Sequence, residues 1–163
     1  MKTPVSYFGT IDSDAFYQSY GAHITLENQD VYLDLNFYTV GPESEGWAGI
    51  CNSYLANLSA YKQAVETAIL KDFNNSGEAR KYIKFHLKEL SPAILDKMML
   101  PTDASHPNDE RLLSLLKLKR IGFYPGDSIY AVWDFTIGWQ YTDQLLVGNT
   151  DKQGVVKYIS WES

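Results

Sequence analysis

Asp134 is the acidic residue with the most unusual surroundings in this sequence. It lies between Trp133 and Phe135 in a run of alternating apolar residues, and a carboxylate in an apolar environment has a raised pKa that suits it to proton transfer. Strand alternation places it with Tyr130 on the face opposite Trp133, which favours exposure or a hydrogen bond to a tyrosine. Catalytic carboxylates usually work in pairs, and the sequence names no partner for Asp134.

The three histidines are the other side chains that could carry acid-base chemistry. His23 lies in a strand-like segment, His86 on an apolar helical stripe and His106 in a loop. The HExxH motif and related metal-binding motifs are absent, so no metal site is predicted. The stripe favours a packed, neutral His86, and the strand favours a surface position for His23. The alternative is a catalytic pair in which Asp134 meets His23 or His86 only in the folded chain.

The remaining signals for reactivity or ligand binding are weak. Cys51 shares a predicted helix face with Tyr54 and Leu55, which favours core packing because a reactive thiolate needs cationic neighbours and exposure. The glycines are scattered at the ends of elements, without the spacing of a phosphate-binding loop or a nucleophile elbow. We therefore predict no catalytic residue and no cofactor.

Tyrosine is the most abundant aromatic residue, with 12 Tyr against 7 Phe and 4 Trp. Many tyrosines lie in strand-like segments, where packing on a half-wet sheet face is the simplest explanation. The other explanation is a surface that binds a partner, because tyrosine anchors many protein interfaces. The candidate partner-binding residues are those that alternation places on polar strand faces: Tyr32, Asp34, Tyr38, Tyr130 and Asp134.

The formal net charge of the chain is −6. A surface of this sign repels phosphate backbones and attracts basic proteins. The best basic patch, residues 117–120 (KLKR), is short and is predicted to close a helix, where cations favour the negative end of the dipole. We therefore expect a basic protein partner and not a nucleic acid.

The sequence also predicts a location. No apolar run approaches the roughly 20 residues that cross a bilayer, and the N-terminus lacks the apolar stretch of a signal peptide. The single cysteine cannot form an internal disulfide, which agrees with a reducing compartment. We expect a cytoplasmic protein with no membrane contact.

Alternating apolar residues predict strands towards both ends of the chain. The first two strands form a hairpin in this interpretation, with its turn at Asn28-Gln29 and with Leu26 opposite Val31. Strands are predicted at 22–27, 30–39, 121–124, 128–137, 144–149 and 155–161.

Between the strands, the apolar spacing changes to that of amphipathic helices. Ser59 offers an N-cap for the second helix, and Ser91-Pro92 ends the third helix and begins the fourth. Helices are predicted at 47–58, 61–73, 79–90, 93–100 and 109–117.

The order of strands, helices and strands indicates an α+β fold. We expect an antiparallel sheet built from N- and C-terminal strands, with a central block of about five helices packed on one face. The 163 residues are the usual size of one domain, so residues 1–163 are predicted to form a single domain.

Several segments carry a family resemblance. They are 132–137 (VWDFTI), 143–147 (DQLLV), 154–163 (GVVKYISWES), 7–11 (YFGTI) and 54–58 (YLANL). With them the chain resembles the bacterial domain-of-unknown-function family numbered two thousand and four, over most of its length. The resemblance implies a small bacterial cytoplasmic protein of mixed α and β structure. It implies no activity and no site residues.

Two functional hypotheses follow. The favoured one is a non-catalytic intracellular protein-binding module, based on the tyrosine-rich strand faces, the acidic charge and the missing catalytic motifs. An immunity protein against a toxin is one form of such a module, by analogy of architecture alone. The alternative is a small hydrolase-like enzyme whose site is assembled only in the fold.

Overall fold

The first strands form a small separate hairpin. The computed structural model describes residues 1–163, and it begins with β1 (Lys2–Val5) and β2 (Gly9–Asp12), which pair only with each other. Val5 and Ile11 are buried, and the ring of Phe8 packs edge-on against Phe123. The hairpin therefore extends the core beyond the main sheet.

Six strands form the main sheet, in the order of the sequence. Five helices separate the second of these strands from the third. The strands are β3 (Ser19–Leu26), β4 (Gln29–Asn36), β5 (Lys117–Phe123), β6 (Ala131–Thr136), β7 (Leu145–Thr150) and β8 (Val156–Glu162). The helices are α1 (Trp47–Leu55), α2 (Leu58–Asn74), α3 (Glu78–Glu89), α4 (Pro92–Met99) and α5 (Asn108–Leu113).

The predicted α+β fold is confirmed, with one correction to the sheet. Strands β4 and β5 are parallel, whereas every other neighbouring pair is antiparallel. The helical block between them is a crossover connection, which a parallel pair requires. The sheet is therefore mixed and not purely antiparallel.

The helices pack on one face of the sheet, and the core lies between the two layers. Tyr54 of α1 is fully buried there. Its hydroxyl accepts a hydrogen bond from Trp133 Nε1 at 2.9 Å and lies 2.7 Å from Thr150 Oγ1. These bonds offset the cost of burying the hydroxyl, so the apolar core includes a satisfied polar link between α1, β6 and β7.

Two of the predicted helix starts can be compared with the structure. Ser91 Oγ accepts a hydrogen bond from the Ile94 amide at 3.3 Å, and Pro92 is the first residue of α4, so this prediction is confirmed. The prediction of Ser59 as the cap of α2 is wrong. The cap position is Asn57, whose side chain makes no cap hydrogen bond, and the helix begins at Leu58, which is buried in the core.

The β3–β4 hairpin differs from its predicted register by two residues. Leu26 pairs with Gln29, and the turn is formed by Glu27 and Asn28 with φ of 50° and 64°. Two consecutive positive φ values are typical of the type I′ turn that matches strand twist. A shift of two residues keeps every side chain on its own face, so the apolar pattern could not distinguish the two registers.

The basic segment 117–120 lies in β5 and does not close a helix. Helix α5 ends at Leu113, and the buried side chains of Leu118 and Ile121 belong to the sheet. A register shift between Leu118 and Arg120 identifies a β-bulge with Lys119 as the extra residue. The bulge lets both Leu118 and Ile121 face the helices, while Arg120 faces the other side.

Candidate functional site

The sheet face opposite the helices, hereafter the open face, gathers most of the polar residues of the sheet. On β4 this face carries Asp30, Tyr32, Asp34 and Asn36. Strand alternation places them there, because Val31, Leu33 and Leu35 face the helices. The strand register brings the open-face residues of β5, β6, β7 and β8 alongside them.

A charged triad occupies the middle of the open face. Arg120 binds Asp34 through two parallel hydrogen bonds, Nε to Oδ2 at 2.5 Å and Nη2 to Oδ1 at 2.8 Å. Its Nη1 binds Asp134 Oδ2 at 3.0 Å, and its Nη2 also donates to the Tyr124 hydroxyl at 2.8 Å. Only 8% and 9% of the Asp34 and Asp134 side chains are exposed, so both carboxylates are largely removed from water.

The strand register explains how the triad forms. Arg120 lies directly opposite Asp134 in the antiparallel pair, whereas Asp34 lies opposite Gly122 in the parallel pair. A Cβ at Gly122 would come 2.5 Å from Arg120 Nη2. Glycine at this position therefore leaves the space in which the guanidinium lies across the strand towards Asp34.

Asn36 connects the triad to the sheet edge. Its Nδ2 donates to Asp34 Oδ1 at 2.5 Å and to the Phe123 carbonyl at 3.2 Å. Its Oδ1 accepts from Ser19 Oγ at 2.7 Å. Asp34 therefore accepts hydrogen bonds from both Arg120 and Asn36, and the network spans four strands, from β3 to β6.

A second polar chain lies on β7 and β8. Asn149 Nδ2 donates to Ser160 Oγ at 3.0 Å, and Ser160 Oγ donates to Glu162 Oε2 at 2.9 Å. The negative charge of Glu162 is near enough to raise the pKa of Asp134. The open face therefore brings three carboxylates near the single guanidinium of Arg120.

The pKa values in the triad reflect this imbalance. Burial raises the pKa of Asp134, and the charges of Glu162 and Asp34 raise it further, against the opposing effect of Arg120. Burial lowers the pKa of Arg120, but its hydrogen bonds to Asp34 and Tyr124 and the two carboxylate charges outweigh burial and raise it. Arg120 is therefore a permanent cation, whereas burial makes the charged form of Asp134 costly.

Exposed tyrosines lie around these polar groups. The exposed fractions of Tyr32, Tyr38 and Tyr158 are 39%, 60% and 52%. The Tyr32 ring centroid lies 5.1 Å from that of His23, and the Tyr38 ring centroid lies 6.3 Å from that of Tyr124. The open face thus combines buried charges with exposed aromatic rings.

Four of the five candidate partner-binding residues lie on or beside this face. Tyr32, Asp34 and Asp134 belong to it, and Tyr38 follows the end of β4. The expectation that Asp134 is exposed or bonded to a tyrosine is wrong, because it is buried against Arg120. Arg120 was not among the predicted residues, because its segment was interpreted as a helix end.

Tyr130 is the fifth candidate, and its placement on the open face is wrong. Only 2% of it is exposed, and its ring packs against Tyr54 and Phe123 in the core. Strand β6 begins at Ala131, which is also buried. Strict alternation therefore fails at this point, and two consecutive side chains face the helices.

The proposed catalytic pairing of Asp134 with a histidine is contradicted by the contacts. His86 is buried on α3, where Nδ1 lies 2.8 Å from the Tyr82 carbonyl and Nε2 lies 2.8 Å from Thr142 Oγ1. Its burial confirms the predicted packed position, and burial lowers its pKa, against the effect of the Tyr82 carbonyl. His23 lies on β3, and two strands separate it from the strand of Asp134.

Cys51 is buried, as predicted. Burial raises the pKa of its thiol to about 11, against the opposing effect of Tyr130. The thiol is therefore protonated near neutral pH and is a weak nucleophile.

Other parts of the molecule add further findings. No group of three or more His, Cys, Asp or Glu side chains has an arrangement that could hold a metal ion. None of the five helices has the length and apolar character needed to cross a bilayer.

No family model, curated protein or solved structure matches this chain, so the family resemblance stays a prediction.

Proposed function

We propose that the protein is a non-catalytic binding module and that the open face of its sheet binds a basic protein partner. The observation that carries this proposal is the composition of a sheet face that no helix covers: three exposed tyrosines around a cluster of carboxylates with one guanidinium.

The charge of the open face fits a basic partner. On this face Asp30, Asp34, Asp134 and Glu162 carry four negative charges, against the positive charges of Arg120 and of Lys117 at the start of β5. The whole chain, at −6, adds a long-range field of the same sign. Complementary charge accelerates association with a basic partner and disfavours acidic ones.

The exposed tyrosines supply the contact area. Tyr32, Tyr38 and Tyr158 each expose more than a third of their surface on or beside this face. A tyrosine offers an apolar ring and a hydrogen-bonding hydroxyl, and it loses few rotamers on binding. Tyrosines of this kind are typical binding hot spots.

The triad gives the face rigidity before a partner arrives. Arg120 cross-links β4, β5 and β6 through charge-assisted hydrogen bonds, and Asn36 holds Asp34 in place. Bidentate hydrogen bonds between a guanidinium and a carboxylate fix the orientation of both groups. A preorganised surface loses less entropy on association, so the triad contributes to affinity without touching the partner directly.

The test compares an open-face variant with a matched control. The double variant Tyr38→Ala/Asp30→Lys changes two exposed positions of the face, and Tyr7→Asn removes an exposed tyrosine from the hairpin turn. Tyr7 has a φ of 67°, which asparagine tolerates. Basic proteins retained from a lysate of the source organism are purified, and their dissociation constants are measured for each variant.

We expect a basic protein that binds the wild type and Tyr7→Asn equally and the double variant at least about tenfold more weakly. Its affinity should fall as salt concentration rises. The proposal fails if every retained protein binds the double variant as tightly as the wild type.

A further inference from the structure

We propose that a cleft at the end of the sheet binds a small phosphorylated molecule. The cleft lies where β5 begins and β6 ends, beside α4, and it has a volume of about 320 Å³. Lys97 of α4 and Lys117 and Lys119 of β5 line it, together with residues of the segment 136–141. The lysine cleft borders the open face, because Lys117 and Thr136 lie on the same side of the sheet as Asp134. It contains none of the tyrosines or carboxylates of the proposed interface, and the inference does not depend on that interface.

The charge of the lysine cleft is opposite to that of the molecule. It has three lysines and no carboxylate among its lining residues, whereas each of four other clefts has at least one carboxylate. The whole chain has 20 acidic and 14 basic residues. A local excess of three positive charges therefore runs against the composition, and an anion bound there would offset their mutual repulsion.

None of the three ammonium groups has a partner in the protein. The ion pairs of the molecule use other cations, and the Nζ atoms of Lys97, Lys117 and Lys119 make no hydrogen bond to other protein groups. Lys62 provides a contrast, because its Nζ binds both Glu27 and Glu66 at less than 3 Å. The three donors of the cleft are therefore free for a ligand.

The β-bulge places one of these lysines in the cleft. In a regular strand, Leu118 and Arg120 would share a face. The bulge keeps Leu118 in the core and Arg120 in the triad, and the extra residue, Lys119, lines the cleft. Bulges often occur beside binding sites because they redirect a side chain in this way.

The remaining lining residues indicate the kind of molecule that fits. Met98, Leu115 and Ile137 provide an apolar wall, and Tyr141 and Gln140 add a ring and an amide. The volume lies near the lower end of the range for small-molecule sites. Lysine is a common point-charge ligand of phosphate, so the phosphoryl groups would lie among the lysines and an organic body would lie against the apolar wall.

The test is calorimetric titration of the full chain with ATP as the probe, at about 50 mM salt where charge interactions are weakly screened. Adenosine offers the same organic body without phosphate and serves as the ligand control. Lys119→Gln and Lys97→Gln remove one cleft charge each. Lys84→Gln, an exposed lysine of α3 outside the cleft, is the matched protein control.

We expect saturable ATP binding below about 1 mM, with each cleft variant about tenfold weaker and Lys84→Gln unchanged. Lys97 is exposed on α4, so Lys97→Gln should leave the fold intact. Its effect on ATP binding can therefore still be measured if Lys119→Gln disturbs β5. The inference is overturned if ATP shows no saturable binding in this range, if adenosine binds as tightly, or if all three variants weaken ATP equally.

Discussion

Arg120 and Asp34 form a bidentate ion pair across the only parallel strand pair of the sheet, with Nε–Oδ2 and Nη2–Oδ1 distances of 2.5 and 2.8 Å. The crossover of five helices brings these two strands together from distant parts of the chain. The pair therefore connects the β3–β4 hairpin to the C-terminal strands at a position that is mostly buried. Its energetic role can be separated from that of Asp134 by substitution.

Arg120→Met should be strongly destabilising at neutral pH. The substitution fills a similar volume but leaves Asp34 and Asp134 buried and facing each other without a cation. Removing one partner of a buried ion pair typically costs about 3–5 kcal/mol, and we expect about 3 kcal/mol because 29% of the Arg120 side chain is exposed. Urea unfolding at about pH 7 and about pH 4 measures the loss, which should shrink at the lower pH as the carboxylates bind protons. An equal loss at both pH values would contradict this account.

Asp34→Asn and Asp134→Asn should have opposite consequences at neutral pH. Asp34 accepts from Arg120 twice and from Asn36, so its amide variant should lose about 1–3 kcal/mol of unfolding free energy. Asp134 has a pKa raised mainly by burial, and its amide can still accept a hydrogen bond from Arg120. Asp134→Asn should therefore be at least as stable as the wild type near pH 7.

The pH dependence of Asp134→Asn follows from the sign of the shift. A carboxyl with a raised pKa in the folded protein binds its proton more tightly there than in the unfolded chain. Its contribution to stability is present below the ordinary Asp pKa of about 3.9 and is lost as pH rises through the folded value. The advantage of Asp134→Asn over the wild type should therefore grow as pH rises through this window. Urea unfolding across the window, with Asp34→Asn as the comparison, checks the trend, and an advantage that shrinks with rising pH would contradict it.

Gly122→Ala and Gly49→Ala are a matched pair that tests the space beside Arg120. A Cβ at Gly122 would meet the Arg120 guanidinium, whereas a Cβ at Gly49 of α1 would meet nothing within 4 Å. We expect Gly122→Ala to cost about 1–3 kcal/mol through displacement of the guanidinium. Gly49→Ala should instead stabilise the protein by about 0.5–1 kcal/mol, because alanine is the better helix former. Chemical denaturation of both variants measures the difference, and similar effects of the two substitutions would refute the steric argument.

The local sequence pattern predicted the helices and strands, whereas the residues of the candidate site are brought together by pairing between strands. Periodicity indicated the five helices and the alternating strands, because each pattern depends on neighbours within a few residues. The parallel pairing of β4 with β5 brings together distant parts of the chain, and the bonds between Asp34 and Arg120 join residues 86 positions apart. Nothing in the local pattern indicates such a contact, so the pairing of Asp34 with Arg120 could not be predicted. The contact of Arg120 with Asp134 spans only 14 residues, and it was missed because segment 117–120 was interpreted as a helix end.

Tyr130 and Arg120 both lie where strict alternation fails, one before the first residue of β6 and the other after the bulge at Lys119. Tyr130 was placed on the wrong face for this reason, whereas Arg120 was missed because its segment was interpreted as a helix end. An extra residue reverses the face of every later side chain. The sequence contained one usable signal: Leu118 and Ile121 are both apolar, which a regular strand would place on opposite faces.

Cys51 should react slowly with thiol reagents in the folded protein and rapidly after unfolding. The thiol is fully buried, and burial raises its pKa to about 11. Near pH 8 the thiolate is therefore scarce and shielded, whereas in the unfolded chain the pKa returns to its ordinary value of about 8.5. Absorbance with an aromatic disulfide reagent, in buffer and in concentrated urea, measures both rates.

Since reaction of Cys51 requires opening of the α1 layer, Tyr54→Ala should accelerate the reaction in buffer. This variant removes the ring whose hydroxyl contacts Trp133 and Thr150. Rapid labelling of the folded wild type would show that Cys51 is accessible and would contradict the packing described for α1.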